Sequence, residues 1–151
     1  MPGLFHSFIA ELERIQGQPI KLSNGRGFTC LFEGDLAVES ILSDDERSLV
    51  TDIWVGKTDD VPARQREFLL ALLLEMNDYA ALTKGAIFSL DEESRVVMSL
   101  TQPLASLTVS AYLAALHGLL DAARQVRQIM LTIHPVITIV GEADVPLPDE
   151  A

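Results

Sequence analysis

The chain has 151 residues, enough for one domain whose core needs no metal or disulfide staple. Hydrophobic residues make up 48% of it, too many for a disordered chain. The 22 Asp and Glu outnumber the 11 Lys and Arg to leave a net charge of −11, a polyanion that repels nucleic-acid phosphates and anionic lipid. No basic stripe overrides that average. Arg64 and Arg66 come nearest, and Glu67 dilutes them.

Cys30 is the only cysteine, so no intrachain disulfide can form, which fits a reducing compartment. Within Phe28-Thr29-Cys30-Leu31-Phe32 it reads as a small apolar strand residue. The N-terminus lacks a basic start and meets Glu11 before any long apolar run, so it does not read as a secretion signal. The longest apolar stretch, Phe68 to Leu74, is too short to span a bilayer. A cytoplasmic protein without membrane insertion is the expectation.

From Gly3 to Gln16, the residues Leu4, Phe5, Phe8, Ile9, Leu12 and Ile15 recur at helical spacing, and Gly17 and Pro19 stop the helix. Three short strand patterns follow. These are Phe28–Glu33, Leu36–Leu42 and Ser48–Val55, with a turn signal at Gly34-Asp35 and another at Ser43–Glu46. Strands this close in sequence pair as an antiparallel meander. In the first, Phe28, Cys30 and Phe32 share one face and Thr29, Leu31 and Glu33 the other; alternation does not say which faces outward.

A polar linker leads to a second helix, with Asp59 or Asp60 as its cap and Pro62 in its first turn, running to about Tyr79. Its segment Phe68 to Leu74 is apolar around the whole circumference, unlike a helix that buries one face only. Such a helix either lies centrally in the domain or packs one face on the sheet and another on a second subunit. The runs Lys84–Leu90 and Arg95–Thr101 flank an acidic turn and read as a hairpin ended by Pro103. A third helix is expected from about Ser106 to Met130, with Tyr112, Leu113, Leu116 and Leu120 on its apolar stripe and Arg124 and Arg127 suiting its C-terminal dipole. Residues 131–151 form an extension: a β-branched run expected as an extra strand, then a mobile acidic tail rich in Pro. Helices and strands mix without strict alternation. The fold class is therefore α+β, a mainly antiparallel twisted sheet of about five strands with three helices, in the order α-βββ-α-ββ-α.

Residues that carry chemistry are sparse. His6, His117 and His134 lie in different segments without metal-ligand spacing. No HExxH, CxxC, GxSxG or P-loop motif occurs, and Gly-Arg-Gly at 25–27 precedes a strand, so it reads as a turn and not a dinucleotide fingerprint. The carboxylates gather in turns, where they read as solvated loops and not as an EF-hand. No catalytic residue, metal ligand or cofactor is expected. The surplus of Phe and Leu over what one small core needs points instead to an apolar interaction surface, and a sheet edge offers main-chain groups to an extended peptide.

The segments LFHSFIAELERIQG, FTCLFEG, LAVESIL, SLVTDIWVG, FLLALLLEMN, AIFSLDEESRVVMSLTQPL and SLTVSAYLAALHGLLDAARQV, taken in order, resemble the class I type III secretion chaperones of the Tir chaperone group over residues 3–130. The resemblance implies a homodimer, around which the N-terminal segment of a secreted effector wraps in extended form. A chaperone of this kind has no enzymatic activity, and without a phosphate-binding loop it is expected to act without ATP. Carried onto this chain, partner binding falls to Phe5, Phe8, Ile9 and Leu12 on the first helix and to Phe28, Cys30, Leu31 and Phe32 on the first strand. The dimer interface falls to Leu69, Leu70, Leu73, Leu74 and Ile87. A regulatory member of the same fold, binding an anti-activator or another secretion-system protein, is the alternative; a domain for a small apolar ligand is a further one.

Overall fold

The computed structural model describes residues 3–32, 35–78 and 85–143, with the backbone alone for 133–143. Helix α1 spans Leu4–Gln16 and buries Phe5, Phe8, Ile9 and Leu12, the i, i+3, i+4, i+7 stripe that its spacing predicts. A 13-residue helix is marginal alone, and this burial is what holds it. Gly17 ends it at φ 77°, its N–H donating to the Glu13 carbonyl. That left-handed conformation is open to glycine at little cost. Beyond the turn, the Glu13 carboxylate accepts the Ile20 N–H at 2.7 Å, folding residues 18–20 back beside the helix.

Strands β1 (Gly27–Phe32), β2 (Leu36–Leu42) and β3 (Ser48–Lys57) form the expected antiparallel meander. The hairpin strands β4 (Ile87–Leu90) and β5 (Arg95–Pro103) join it through β5, giving a five-stranded antiparallel sheet in the order β1-β2-β3-β5-β4. The register places Phe28, Cys30 and Phe32 in line with Ser40, Val38 and Leu36, then Ser40 with Thr51, Val38 with Ile53 and Ile53 with Met98. This is the inner face, covered by the helices. Thr29 and Leu31 point to the other face. Gly27 has to be glycine for a local reason: a Cβ there would stand 2.9 Å from the Ser40 carbonyl oxygen.

The acidic turns cap themselves. Asp91 accepts the backbone N–H of Glu93 and of Arg95, the Arg95 guanidinium and the Trp54 indole N–H. Burial pulls its carboxyl upward, but these donors outweigh it and hold the pKa at about 2. Asp45 does the same on a smaller scale, accepting from the Ser43 hydroxyl and the Arg47 N–H.

Helix α2 spans Ala63–Asp78, directly after Pro62. Asp59 and Asp60 lie in a short 3-10 turn ahead of it, and Arg66 reaches back to the Thr58 and Val61 carbonyls. Helix α3 opens at Val109, capped by the Thr108 hydroxyl, which accepts the Ala111 N–H at 3.0 Å. It lies across the sheet. Tyr112 puts its hydroxyl 2.7 Å from Ser40 Oγ, and its ring meets Phe8 and Phe28 edge to face. Further along, β3 carries a bulge between Trp54 and Gly56, and Arg127 donates to the Val55 carbonyl there at 2.6 Å. A Cβ at Gly56 would stand 3.2 Å from the Met130 methyl, so the bulge and the helix approach closely.

One expectation is corrected. α3 runs 35 residues to Ala143, so the β-branched run after Met130 continues the helix and adds no strand. Extending an existing helix gains a hydrogen bond for each residue fixed, Pro135 excepted because it has no N–H, whereas a strand would have to reach a sheet edge. Glu33, Tyr79, Lys84 and the acidic tail from residue 144 lie outside the described residues.

Candidate functional site

The largest cavity among those described is a groove of about 440 Å³ between α1, β1 and α3. Leu12 of α1 forms one wall, continued by the folded-back Pro19 and Ile20. Phe28, Cys30 and Phe32 form the floor, and Leu113, Leu116 and Leu120 of α3 form the far wall. Lys21 and His117 line it as well, and among the described residues no carboxylate does, although acids outnumber bases two to one in the chain. The thiol of Cys30 is half-buried and pushed up by that burial, so it is a poor nucleophile. Tyr112 beneath it is pushed up to about 12 by burial, its hydrogen bond to Ser40 opposing part of the rise. Neither group is poised for reaction at neutral pH.

β1 is the outer strand at this side of the sheet. The Leu42 N–H donates to the Arg26 carbonyl, so residues 26, 28, 30 and 32 direct their main-chain groups toward β2. Residues 27, 29 and 31 direct theirs outward. The Gly27 carbonyl is taken by the Ser23 N–H at 2.7 Å. Among the described residues none hydrogen-bonds the outward main-chain groups of Thr29 and Leu31. An unpaired strand edge therefore borders an apolar groove, and Leu31 beside it is 71% exposed.

The residues expected to bind a partner divide accordingly. Leu12, Phe28, Cys30 and Phe32 line the groove, and Leu31 stands at its edge. Phe5, Phe8 and Ile9 are core residues of the domain, buried against the sheet and α3 and absent from the groove lining. The α3 wall, Leu113, Leu116 and Leu120, was not among the residues expected at such a surface, although its stripe from Tyr112 to Leu120 is broad.

A smaller groove, about 230 Å³, lies at the opposite end of the sheet between α2 and β4, lined by Leu70, Leu74, Asn77, Phe88 and Leu90 among others. Leu69, expected at a dimer interface, is instead fully enclosed in the core, whereas Leu73, though largely buried, lines this groove beside Leu70 and Leu74. The Leu69 side of α2 packs inward, while Leu70 and Leu74 flank β4. Leu74 is 67% exposed and Ile87 59%, but Ile87 points to the outer sheet face and lies around the β4 edge from Leu74. Phe68 is exposed on the other flank of α2. No helix among the described residues is long and apolar enough to cross a membrane.

A three-helix, five-stranded antiparallel domain with these two apolar grooves has the architecture of a secretion chaperone. The chain belongs to the Tir chaperone protein (CesT) family, whose model matches residues 7–127. No curated protein matches it. Among solved structures it resembles the HopA1–SchA chaperone–effector complex at TM-score 0.69 and 17% identity, covering 83% of this chain and 94% of that one. It resembles the ExsC–ExsE complex at TM-score 0.69 and 21% identity, covering 82% and 91%. The Yersinia pestis type III secretion chaperone SycH, bound to a stable fragment of YscM2, matches at TM-score 0.63 and 16% identity, covering 80% and 97%.

Proposed function

We propose that this chain is a type III secretion chaperone that holds a segment of a secreted effector in extended form, keeping it soluble and secretion-competent in the bacterial cytoplasm without ATP or any catalytic step. The observation that carries this reading is the juxtaposition at β1: unpaired main-chain groups of Thr29 and Leu31 beside an apolar groove floored by Phe28, Cys30 and Phe32. An added client strand satisfies its main chain on β1 and drops alternate apolar side chains into the groove. Family membership and the resemblance to chaperone–effector complexes support the same reading. A groove of about 440 Å³ holds a few large aliphatic side chains, which suits a client whose apolar residues alternate. The groove between α2 and β4, with Leu70, Leu74 and Leu90, is the surface on which a second copy docks to make a homodimer.

Cys30 is the only cysteine and lies in the groove floor, so it reports on occupancy. The chaperone is purified with and without the secreted protein that co-purifies from cells expressing the secretion system, and its thiol is alkylated over time. Protection of Cys30 by the bound client is the expected result. Equal alkylation rates with and without client, or no secreted protein co-purifying, would refute the reading.

A further inference from the structure

The two ends of the sheet differ in a way that one side chain accounts for. β4 is the outer strand opposite β1. The Asp91 N–H donates to the Arg95 carbonyl across the hairpin, and Ile87 pairs with Ser99 in the same register. Alternation therefore turns the main-chain groups of residues 87, 89 and 91 toward β5 and those of Phe88 and Leu90 outward. The outward pair on Phe88 is closed from the side. Asn77, in the last turn of α2, accepts the Phe88 N–H on its Oδ1 at 2.7 Å and donates its amide to the Phe88 carbonyl at 2.9 Å. One carboxamide thus supplies the acceptor and donor that a residue of an added strand would supply. β4 is only four residues long, so closing Phe88 removes the centre of the edge.

We propose that Asn77 is a specificity residue that closes the β4 edge to strand addition, so that the sheet accepts an extended segment at β1 alone and the α2–β4 groove is left to side-chain docking. The β1 half of this inference rests on the chaperone reading above; the β4 half does not. An unprotected outer strand is a template for pairing with any other chain, and natural sheets close such edges by specific devices. An asparagine suits the task because its amide carries both hydrogen-bonding functions in one plane, as a peptide group does. It also accounts for a residue of poor helix propensity in the last turn of a helix built mainly from Leu, Ala, Arg, Gln, Glu and Met.

The experiment compares the wild-type protein with Asn77→Leu, which keeps size and removes both hydrogen bonds, and with Asn77→Ala. Amide exchange at Phe88 is read by NMR, and assembly by sedimentation velocity across a concentration series. Exchange at Phe88 rises by roughly tenfold in both variants, the factor that corresponds to one hydrogen bond. Each variant also forms assemblies larger than the wild type, which grow with concentration. Unchanged exchange and unchanged assembly in folded variants would overturn the proposal. In the wild-type protein itself, a scalar coupling across the hydrogen bond from the Phe88 amide to the Asn77 side-chain carbonyl is expected; its absence overturns the proposal even where the variants fail to fold. Loss of client capture in the wild type would refute the chaperone reading and leave these β4 results untouched.

Discussion

Replacing Tyr112 by Phe removes one hydroxyl from the middle of the core, and its effect should reverse with pH. The hydroxyl lies 2.7 Å from Ser40 Oγ, which lies 2.9 Å from Thr51 Oγ1, and Tyr112 is 2% exposed. A phenylalanine ring keeps the edge contacts with Phe8 and Phe28, and Ser40 keeps Thr51 as a partner. At neutral pH the cost is therefore that of one hydrogen bond, about 1 kcal/mol. At alkaline pH the balance shifts. Burial, partly offset by the Ser40 bond, raises the phenol from 10.0 to about 12. Between those values the folded chain holds a proton that the unfolded chain has lost, so stability falls as pH rises. The contribution of Tyr112 is whole below pH 10 and is gone above about pH 12. At about 1.4 kcal/mol per unit, the loss is about 3 kcal/mol. Tyr112→Phe has no such group. Urea unfolding should find the wild type more stable at pH 7, with the two stability curves converging above pH 10 and crossing before pH 12. Parallel curves between pH 9 and 12 would refute the reasoning.

Arg127→Met leaves the Val55 carbonyl at the β3 bulge without its donor and should cost about 1–3 kcal/mol in denaturant unfolding. Leu113→Glu alters an exposed wall of the main groove, so it should leave stability within about 0.5 kcal/mol and weaken client capture about tenfold or more, read by pull-down titration. Leu74→Asp, at an exposed position beside β4, should shift a dimer to monomer in sedimentation at micromolar concentration without unfolding it.

Much of the architecture is legible in local pattern. The stripe Phe5, Phe8, Ile9, Leu12 marks α1 and its buried face, and Gly17 marks its end. In β3 the alternation of Leu49, Thr51, Ile53 and Val55 is the alternation of burial. Other places defeat local reading for physical reasons. In α2 the apolar residues surround the helix, so period cannot separate the enclosed Leu69 from the groove-lining Leu70, Leu73 and Leu74; the position of β4 does that. After Met130, β-branched residues favour a strand intrinsically, but a helix already under way absorbs them. Asn77 reads as an ordinary polar residue near a helix end until Phe88 is placed against it.

The order of elements follows from the sequence by itself, because hydrophobic period and turn chemistry act over a few residues and need no knowledge of partners. Burial of the Phe28–Cys30–Phe32 face, the opening of β1 and the closing of β4 were decided only by tertiary structure. They depend on the strand order β1-β2-β3-β5-β4 and on α1 and α3 crossing one face of that sheet. Whether a side chain lines a groove or fills a core is a property of what packs opposite it, and its neighbours in sequence do not carry that information.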